Sequence, residues 1–309
     1  MSGQSSKQVK SEKPKSILCV GEILWDMLPD GAKVGGAPLN VAIHLRKFGF
    51  DVKFAGRIGN DKPGDDLSRF IASAGLGDEL LQVDYELPTS TVEVYLEPDE
   101  KVRFEIVDNV AWDRIESTED LRKAAARADV IVYGTLASRH DVTRGTMLDL
   151  LKLTRGMALI DVNLRAPFDT REVVETLLSG ASVAKLNDDE LRVISWWYNI
   201  NNNERELTKW FSDKYECNLV CVTRGGKGAL IYNDGYFVDH PGFRVNVRDT
   251  VGSGDAFLAG FLSKYLAGKT LKESLEFACA TGALVATMAG ATPEYSTGEI
   301  LQIMRSHKI

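Results

Sequence analysis

The sequence predicts an α/β fold with a mostly parallel sheet covered on both faces, and three observations carry this. Short apolar runs alternate with stretches of helical periodicity along most of the chain. One β-rich pair, within residues 89–106, breaks that rhythm because no helix follows it. No internal repeat or interdomain linker divides the chain.

In order along the chain, Ser16 to Gly21 is an apolar run ending in Gly, a buried first strand. Gly35-Gly36-Ala37-Pro38 leads into a helix, since Leu39, Val41, Ala42, Leu45 and Phe48 recur at helical spacing and Gly49 ends it. Val52 to Ala55 reads as a strand, Gly56-Arg57-Ile58-Gly59 as a tight loop, and Asp65 to Ala74 as a helix. Thr91–Leu96 and Val102–Ile106 are rich in β-branched and aromatic residues, with Pro98-Asp99-Glu100 between them as a hairpin turn. Strands then follow at 130–133, 158–162, 182–185, 219–223 and 228–232, and helices at 144–153, 171–178 and 188–198. Asn199–Asn203 reads as a polar loop between helices, and 256–267 and 271–288 as two long closing helices. Residues 16–309 are read as one domain, and the polar, Lys/Ser-rich residues 1–15 as a disordered extension.

Composition narrows the function classes. The net charge is −7 and no Lys/Arg-rich block lies beyond the N-terminal tail, which argues against a nucleic-acid or anionic-membrane partner. No apolar run approaches the length of a membrane span. Cys19, Cys217, Cys221 and Cys279 form no zinc set, and read as buried thiols in a reducing cytoplasm. The four histidines are scattered without metal-ligand spacing. Gly268-Lys269-Thr270 resembles the end of a P-loop, but the Gly that a P-loop needs five residues earlier is Ser263, inside a helix. The first strand is followed by Gly21-Glu22-Ile23 and not by Gly-x-Gly-x-x-Gly, which disfavours a dinucleotide-dependent oxidoreductase.

Ligands of such sheets bind beyond the carboxyl ends of the strands. The segment that draws attention is Asp249-Thr250-Val251-Gly252-Ser253-Gly254-Asp255, a small-residue turn opening into an apolar helix. Unpaired N–H groups and the positive end of the helix dipole suit an anion there, and glycines allow its close approach. Asp255 has two readings on local grounds, a first-turn residue that stabilises the helix or a base that takes a proton from a hydroxyl beside the anion.

The chain resembles the ribokinase-like (PfkB-type) carbohydrate kinases, whose C-terminal signature Asp-Thr-x-Gly-Ala-Gly-Asp is matched except for Ser253. Asp26 matches the sugar-binding Asp after the first strand, and Gly35-Gly36-Ala37-Pro38-Leu39-Asn40 the N-terminal signature. Gly56–Gly64 matches Gly-x-x-Gly-x-Asp-x-x-Gly, Asn187–Glu190 matches Asn-x-x-Glu, and Thr223–Gly228 the nucleotide loop.

That resemblance implies a three-layer α/β/α ribokinase-like fold, with a small β-sheet lid from about 31–37 and 89–110. It implies an ATP-dependent sugar kinase in which Asp255 is the base, Gly252, Ser253 and Gly254 form the anion hole, and Arg165 reaches phosphate or substrate. Asp26, Gly35, Gly36, Asn40 and Asn163 are the implied sugar contacts, and Asn187, Thr223, Gly225 and Gly228 the nucleotide contacts. Glu190 would order Mg²⁺ through water, and Asp249, Val251 and Gly290 match a monovalent-cation site, so potassium is an expected activator. A homodimer through the lid and a cytoplasmic location are also implied. Gly21–Asp26, Asn109–Asp113, Tyr133–Ala137 and Asn163–Arg165 look like the fructokinase branch, so fructose is the expected substrate. A kinase of ribose or 2-keto-3-deoxygluconate, or a silent sugar-binding regulator, are the alternatives.

Overall fold

A computed structural model describes residues 15–28, 31–96 and 102–306. The expected disordered extension and the turn at 98–100 therefore lie outside the described residues, apart from Lys15.

The chain begins with β1 (Ser16–Val20), β2 (Leu24–Leu28) and β3 (Gly31–Gly35), and then α1 (Ala37–Lys47). Pro38 sits in the first turn of α1, where its missing N–H costs nothing. Next come β4 (Asp51–Gly59), α2 (Lys62–Ser73), β5 (Leu81–Asp84), β6 (Ser90–Leu96) and β7 (Val102–Ile106). Gly56-Arg57-Ile58-Gly59 is not a loop: it is the second half of β4 and pairs with β5 through Arg57 and Gln82. The tight turn comes later, where Asp61 caps α2 by accepting from the Gly64 N–H at 2.9 Å.

The alternating half follows as α3 (Glu119–Arg127), β8 (Val130–Gly134), α4 (Asp141–Leu153), β9 (Met157–Asp161), α5 (Arg171–Leu178), β10 (Val183–Asn187), α6 (Asp188–Trp196), α7 (Glu204–Tyr215) and β11 (Leu219–Thr223). Then come β12 (Ala229–Asn233), β13 (Tyr236–His240), α8 (Ser253–Tyr265), α9 (Leu271–Ala286) and α10 (Thr297–Arg305). Past the end of α8, Gly268 adopts φ 72°, its N–H bonds to the Tyr265 carbonyl, and the Lys269 N–H bonds to Lys264. That Schellman closure explains the glycine before Lys269-Thr270 without any phosphate loop.

The main sheet has nine strands in the order β13-β12-β11-β10-β9-β8-β1-β4-β5. All neighbouring pairs from β11 to β5 are parallel, and the β12 pairings are antiparallel. Alternate residues of one strand serve opposite faces. Ile17 and Cys19 join a core with Leu39, Leu67, Phe261, Phe277 and Ile300, so α1, α2, α8, α9 and α10 cover one face. Leu18 and Val20 join a core with Leu121, Met147, Val174, Ile194 and Phe211, so α3 to α7 cover the other. The result is a three-layer α/β/α architecture. A second sheet of four strands, β3-β2-β6-β7, pairs β2 with β6 in parallel and is otherwise antiparallel.

Candidate active site

The carboxyl ends of the parallel strands converge on one edge of the sheet. Gly134 pairs with Asp161, Asp161 with Lys185, and Asn187 with Thr223 across β8, β9, β10 and β11. The N-terminus of α8 faces this edge, since a Cβ on Gly254 would stand 3.3 Å from Lys185 Nζ. The helix starts at Ser253, so Asp255 lies in its first turn, while the cap position is Gly252, which has no side chain.

Gly252 is left-handed, φ 74°, and a Cβ there would stand 2.4 Å from the Ala291 carbonyl oxygen. Ser253 donates its hydroxyl and, at 3.2 Å, its N–H to the Thr250 carbonyl. Of the three N–H groups expected to form the anion hole, Ser253's is therefore partly engaged. Those of Gly252 and Gly254 bond to no protein acceptor among the described residues. Two free donors at the positive end of a helix are the physical requirement for holding an anion.

Asp255 accepts a hydrogen bond from Asn40 Nδ2 at 2.8 Å, a contact across 215 positions of sequence. Burial, and next the Asp161 carboxylate, push the Asp255 carboxyl up to about 7, while Lys185 and the Asn40 bond act the other way. A carboxylate so raised is matched to accepting a proton near neutral pH. Lys185 donates to both Asp161 oxygens at 2.9 Å, and the two residues are 8% and 4% exposed. Burial disfavours charge on Lys185, but Asp161, Glu190 and Asp255 outweigh it and hold the ammonium above its ordinary range.

Glu190 closes a reciprocal cap with Asn187 at the start of α6: each side chain accepts the other's backbone N–H at 2.8 Å. Its second oxygen accepts from Leu164 N at 3.0 Å, which ties the start of α6 to the segment after β9. Both Glu190 oxygens are thus already bonded, which suits holding a hydrated ion through water better than ligating it directly. Among the described residues, one cluster of three ligating side chains exists, Asp108, Asp113 and His140, and Arg139 already occupies it with bonds of 2.7 and 2.8 Å to Asp113.

Asp26 lies on β2, not in a solvated loop. Gly35 packs beside it so closely that a Cβ would stand 2.3 Å from Asp26 Oδ2. Burial pushes Asp26 up to about 6, against the opposing charge of Arg165. Gly36, φ 119°, leaves no room for a Cβ, which would sit 2.3 Å from the Glu22 carbonyl oxygen. Arg165 is exposed beyond β9, with its Nη1 bonded to the Leu164 carbonyl, and its charge is felt by both Asp26 and Glu22. Asn163 adopts a left-handed φ of 41° in the same segment.

Thr223 ends β11 beside Asn187, and Gly225–Lys227 form a single tight turn into β12. Gly228, φ 81°, approaches the His240–Gly242 backbone so closely that a Cβ would lie 1.9 Å from the His240 oxygen. The proposed cation positions also meet. Asp249 accepts from Val251 N at 3.0 Å and from Gly290 N at 2.9 Å, while Arg248 and Asp249 both bond the Ala286 carbonyl.

Three residues that sequence reasoning missed complete the site. Glu22, 3% exposed, accepts from Ala37 N at 3.1 Å and leaves Oε2 without a partner among the described residues, as Asn40 leaves Oδ1. Asp161 and Lys185 are the other two. All three carried a sequence signal, a charged residue within or directly after an apolar strand.

The model of the pfkB family carbohydrate kinases matches residues 31–297. Fructokinase-2 of Solanum lycopersicum is 28% identical over 318 aligned positions, covering 94% of this chain and 96% of that protein. The solved structure of fructokinase with bound ATP from Xylella fastidiosa superposes with a TM-score of 0.83 at 24% identity, covering 96% of this chain and 100% of the other. A double mutant of fructokinase from Vibrio cholerae O395, in fructose, ADP and potassium ion bound form, superposes with a TM-score of 0.81 at 21% identity, covering 96% and 100%. At those identities the structural likeness establishes the ribokinase-like fold. The family match spans most of the chain and includes the turn before α8, the α1 signature and the strand-end residues between them, so the chain belongs to the pfkB family of carbohydrate kinases, enzymes that transfer a phosphoryl group to an alcohol acceptor.

Proposed function

We propose that the chain is a fructokinase that transfers the γ-phosphoryl group of ATP to a primary hydroxyl of fructose. The observation that carries the chemistry is the juxtaposition of the raised Asp255 carboxyl with two free N–H groups at the start of α8. Asp255 accepts the hydroxyl proton as the sugar oxygen attacks the γ-phosphorus. The new O–P bond forms while the bridging P–O bond to the β-phosphate breaks, and ADP leaves with that oxygen. The Gly252 and Gly254 N–H groups stabilise charge on the transferring group.

Asn40 orients Asp255, and its free Oδ1, with Glu22 Oε2 and Asp26, offers acceptors to sugar hydroxyls. Thr223, Gly225 and Gly228 border the nucleotide. Mg²⁺ would neutralise phosphate charge, and Asn187 and Glu190 are the residues that would hold it through water. The close meeting of Asp249, Val251 and Gly290 supports a potassium site beside the turn. The β2, β3, β6 and β7 sheet acts as a lid over the sugar that excludes water, and it supplies the contact of a homodimer in the cytoplasm.

Fructose is favoured over ribose and 2-keto-3-deoxygluconate by the fructokinase relative that matches over nearly its whole length. ADP release with Mg-ATP across those three sugars tests the reading. Turnover is expected to be fastest with fructose, and no turnover with any sugar would overturn it.

A further inference from the structure

The Asp161–Lys185 pair is not among the motifs that mark this chain as a sugar kinase, yet it lies under the centre of the site. Each residue sits on a parallel strand, at registered positions of β9 and β10. A lysine within a buried strand is expensive unless it is paired and bonded. Here it is doubly bonded to one carboxylate, and its Nζ stands 3.3 Å from where a Cβ on Gly254 would be.

We propose that this pair is a positioning device of the transfer site: Asp161 fixes the Lys185 ammonium beneath the Gly252–Gly254 turn, where its charge faces both Asp255 and the phosphoryl group being transferred. The proposal rests on the kinase reading above. A side-chain cation below the turn adds a full charge to the partial charges of two N–H groups and a helix end. Its bonds to Asp161 hold it in place before substrate arrives, so no reorganisation is needed during transfer.

The charged groups that face Asp255 come from several elements. Asp161 on β9 and Glu22 after β1 raise its carboxyl, whereas Lys185 on β10 and the Asn40 bond from α1 lower it. Glu190 on α6 acts on Lys185. From α9, Gly282 and Thr281 pack on α8 and carry no charge. The two members of the pair thus pull Asp255 in opposite directions, so each single variant carries a pH signature of its own sign, while the charge beneath the turn is read separately from kcat.

The experiment is the pH profile of kcat/KM for Lys185→Met, Asp161→Asn and the double variant, with folding followed by thermal melting and ATP binding by calorimetry. Lys185→Met is expected to move the acid limb upward by about one pH unit, and Asp161→Asn to move it downward. The double variant buries no lone charge. It is expected to return the limb towards the wild-type position while kcat stays about 10²-fold low, because the charge beneath the turn is gone. Limbs that stay put, or shift in the same direction in both single variants, overturn the proposal. Should the single variants fail to fold, the double variant decides: a kcat near wild type overturns the proposal. A wild-type protein that phosphorylates no sugar would instead overturn the kinase reading.

Discussion

Asn40 Nδ2 donates a 2.8 Å hydrogen bond to Asp255 Oδ2, so the helix that opens the first βα unit and the helix that carries the terminal signature meet at a single carboxylate. The bond needs α1 and α8 packed side by side on one face of the sheet, and their shared apolar core, which includes Leu39, Val41, Leu258 and Phe261, supplies that packing.

Replacing Asp255 with Asn removes the proton acceptor and keeps the shape of the turn. The kcat of the variant should fall by about 10²-fold or more. Calorimetric affinity for ATP should stay close to wild type, because the anion donors are backbone groups. A variant of near-normal rate would return Asp255 to the role of a helix-stabilising residue.

The same carboxyl sets the pH response. With Asp255 held at about 7, kcat/KM should decline below neutrality as the base becomes protonated. The Asn40 bond holds the carboxyl down, so Asn40→Ala should shift that acid limb to higher pH. Rate profiles of the two proteins measured between pH 5 and 9, a window of about two units on each side, would reveal an unmoved limb if the bond does not matter.

Stability should carry the opposite signature. A carboxyl whose folded-state pKa is raised contributes stability at low pH that is lost as pH rises through the folded value. For Asp255 that window runs from 3.8 to about 7. The melting temperature of Asp255→Asn relative to wild type should therefore climb across this window and level off above it. Each 1 kcal/mol corresponds to roughly 2 °C in a chain of this size. A difference that is flat with pH would mean that the carboxyl is not raised.

His44 gives a second, independent pH effect. It is fully buried, its Nε2 donates to the Ala291 carbonyl at 3.0 Å, and its Nδ1 accepts from the Tyr295 hydroxyl at 2.7 Å. Burial depresses its pKa to about 4. The unfolded chain binds a proton at His44 below pH 6.5 and the folded chain does not, so this stability is present above that value and is lost as pH falls towards 4. The loss amounts to at most about 3 kcal/mol. Thermal melts of wild type and His44→Gln should diverge in acid, with the wild type losing more per pH unit.

Asp26→Ala should act on sugar binding. A charged hydrogen bond to a substrate hydroxyl contributes about 1.5–3 kcal/mol, so the sugar KM should rise by roughly 10- to 100-fold with the KM for ATP kept. An unchanged sugar KM would remove Asp26 from the pocket.

Much of this was legible in the residues alone. The strand-and-helix alternation reports burial on both faces of a parallel sheet. The α8 turn was legible because small residues running straight into an apolar helix mark a helix start, and glycine permits the left-handed φ of 74° that Gly252 adopts there. Local reading failed where tertiary pairing decides. Gly56–Gly59 read as a loop, yet β5 pairs with it, and glycine is needed there because Thr89 packs against Gly59 and Phe54 against Gly56. The helix α10 was missed because Ile300 is its single buried residue, too little to set a period. The edge strand β13 was missed because it is half exposed and takes its order from β12.

The layered α/β architecture, the glycine-rich turn before α8 and the family are legible in the residues alone, because they depend on local backbone chemistry and on the order of motifs along one chain. Folding alone brings Asp255 against Asn40 and holds Lys185 beneath Gly254 through Asp161. Those relationships join residues 24 to 215 positions apart, and the charge a carboxylate carries depends on what folding buries beside it.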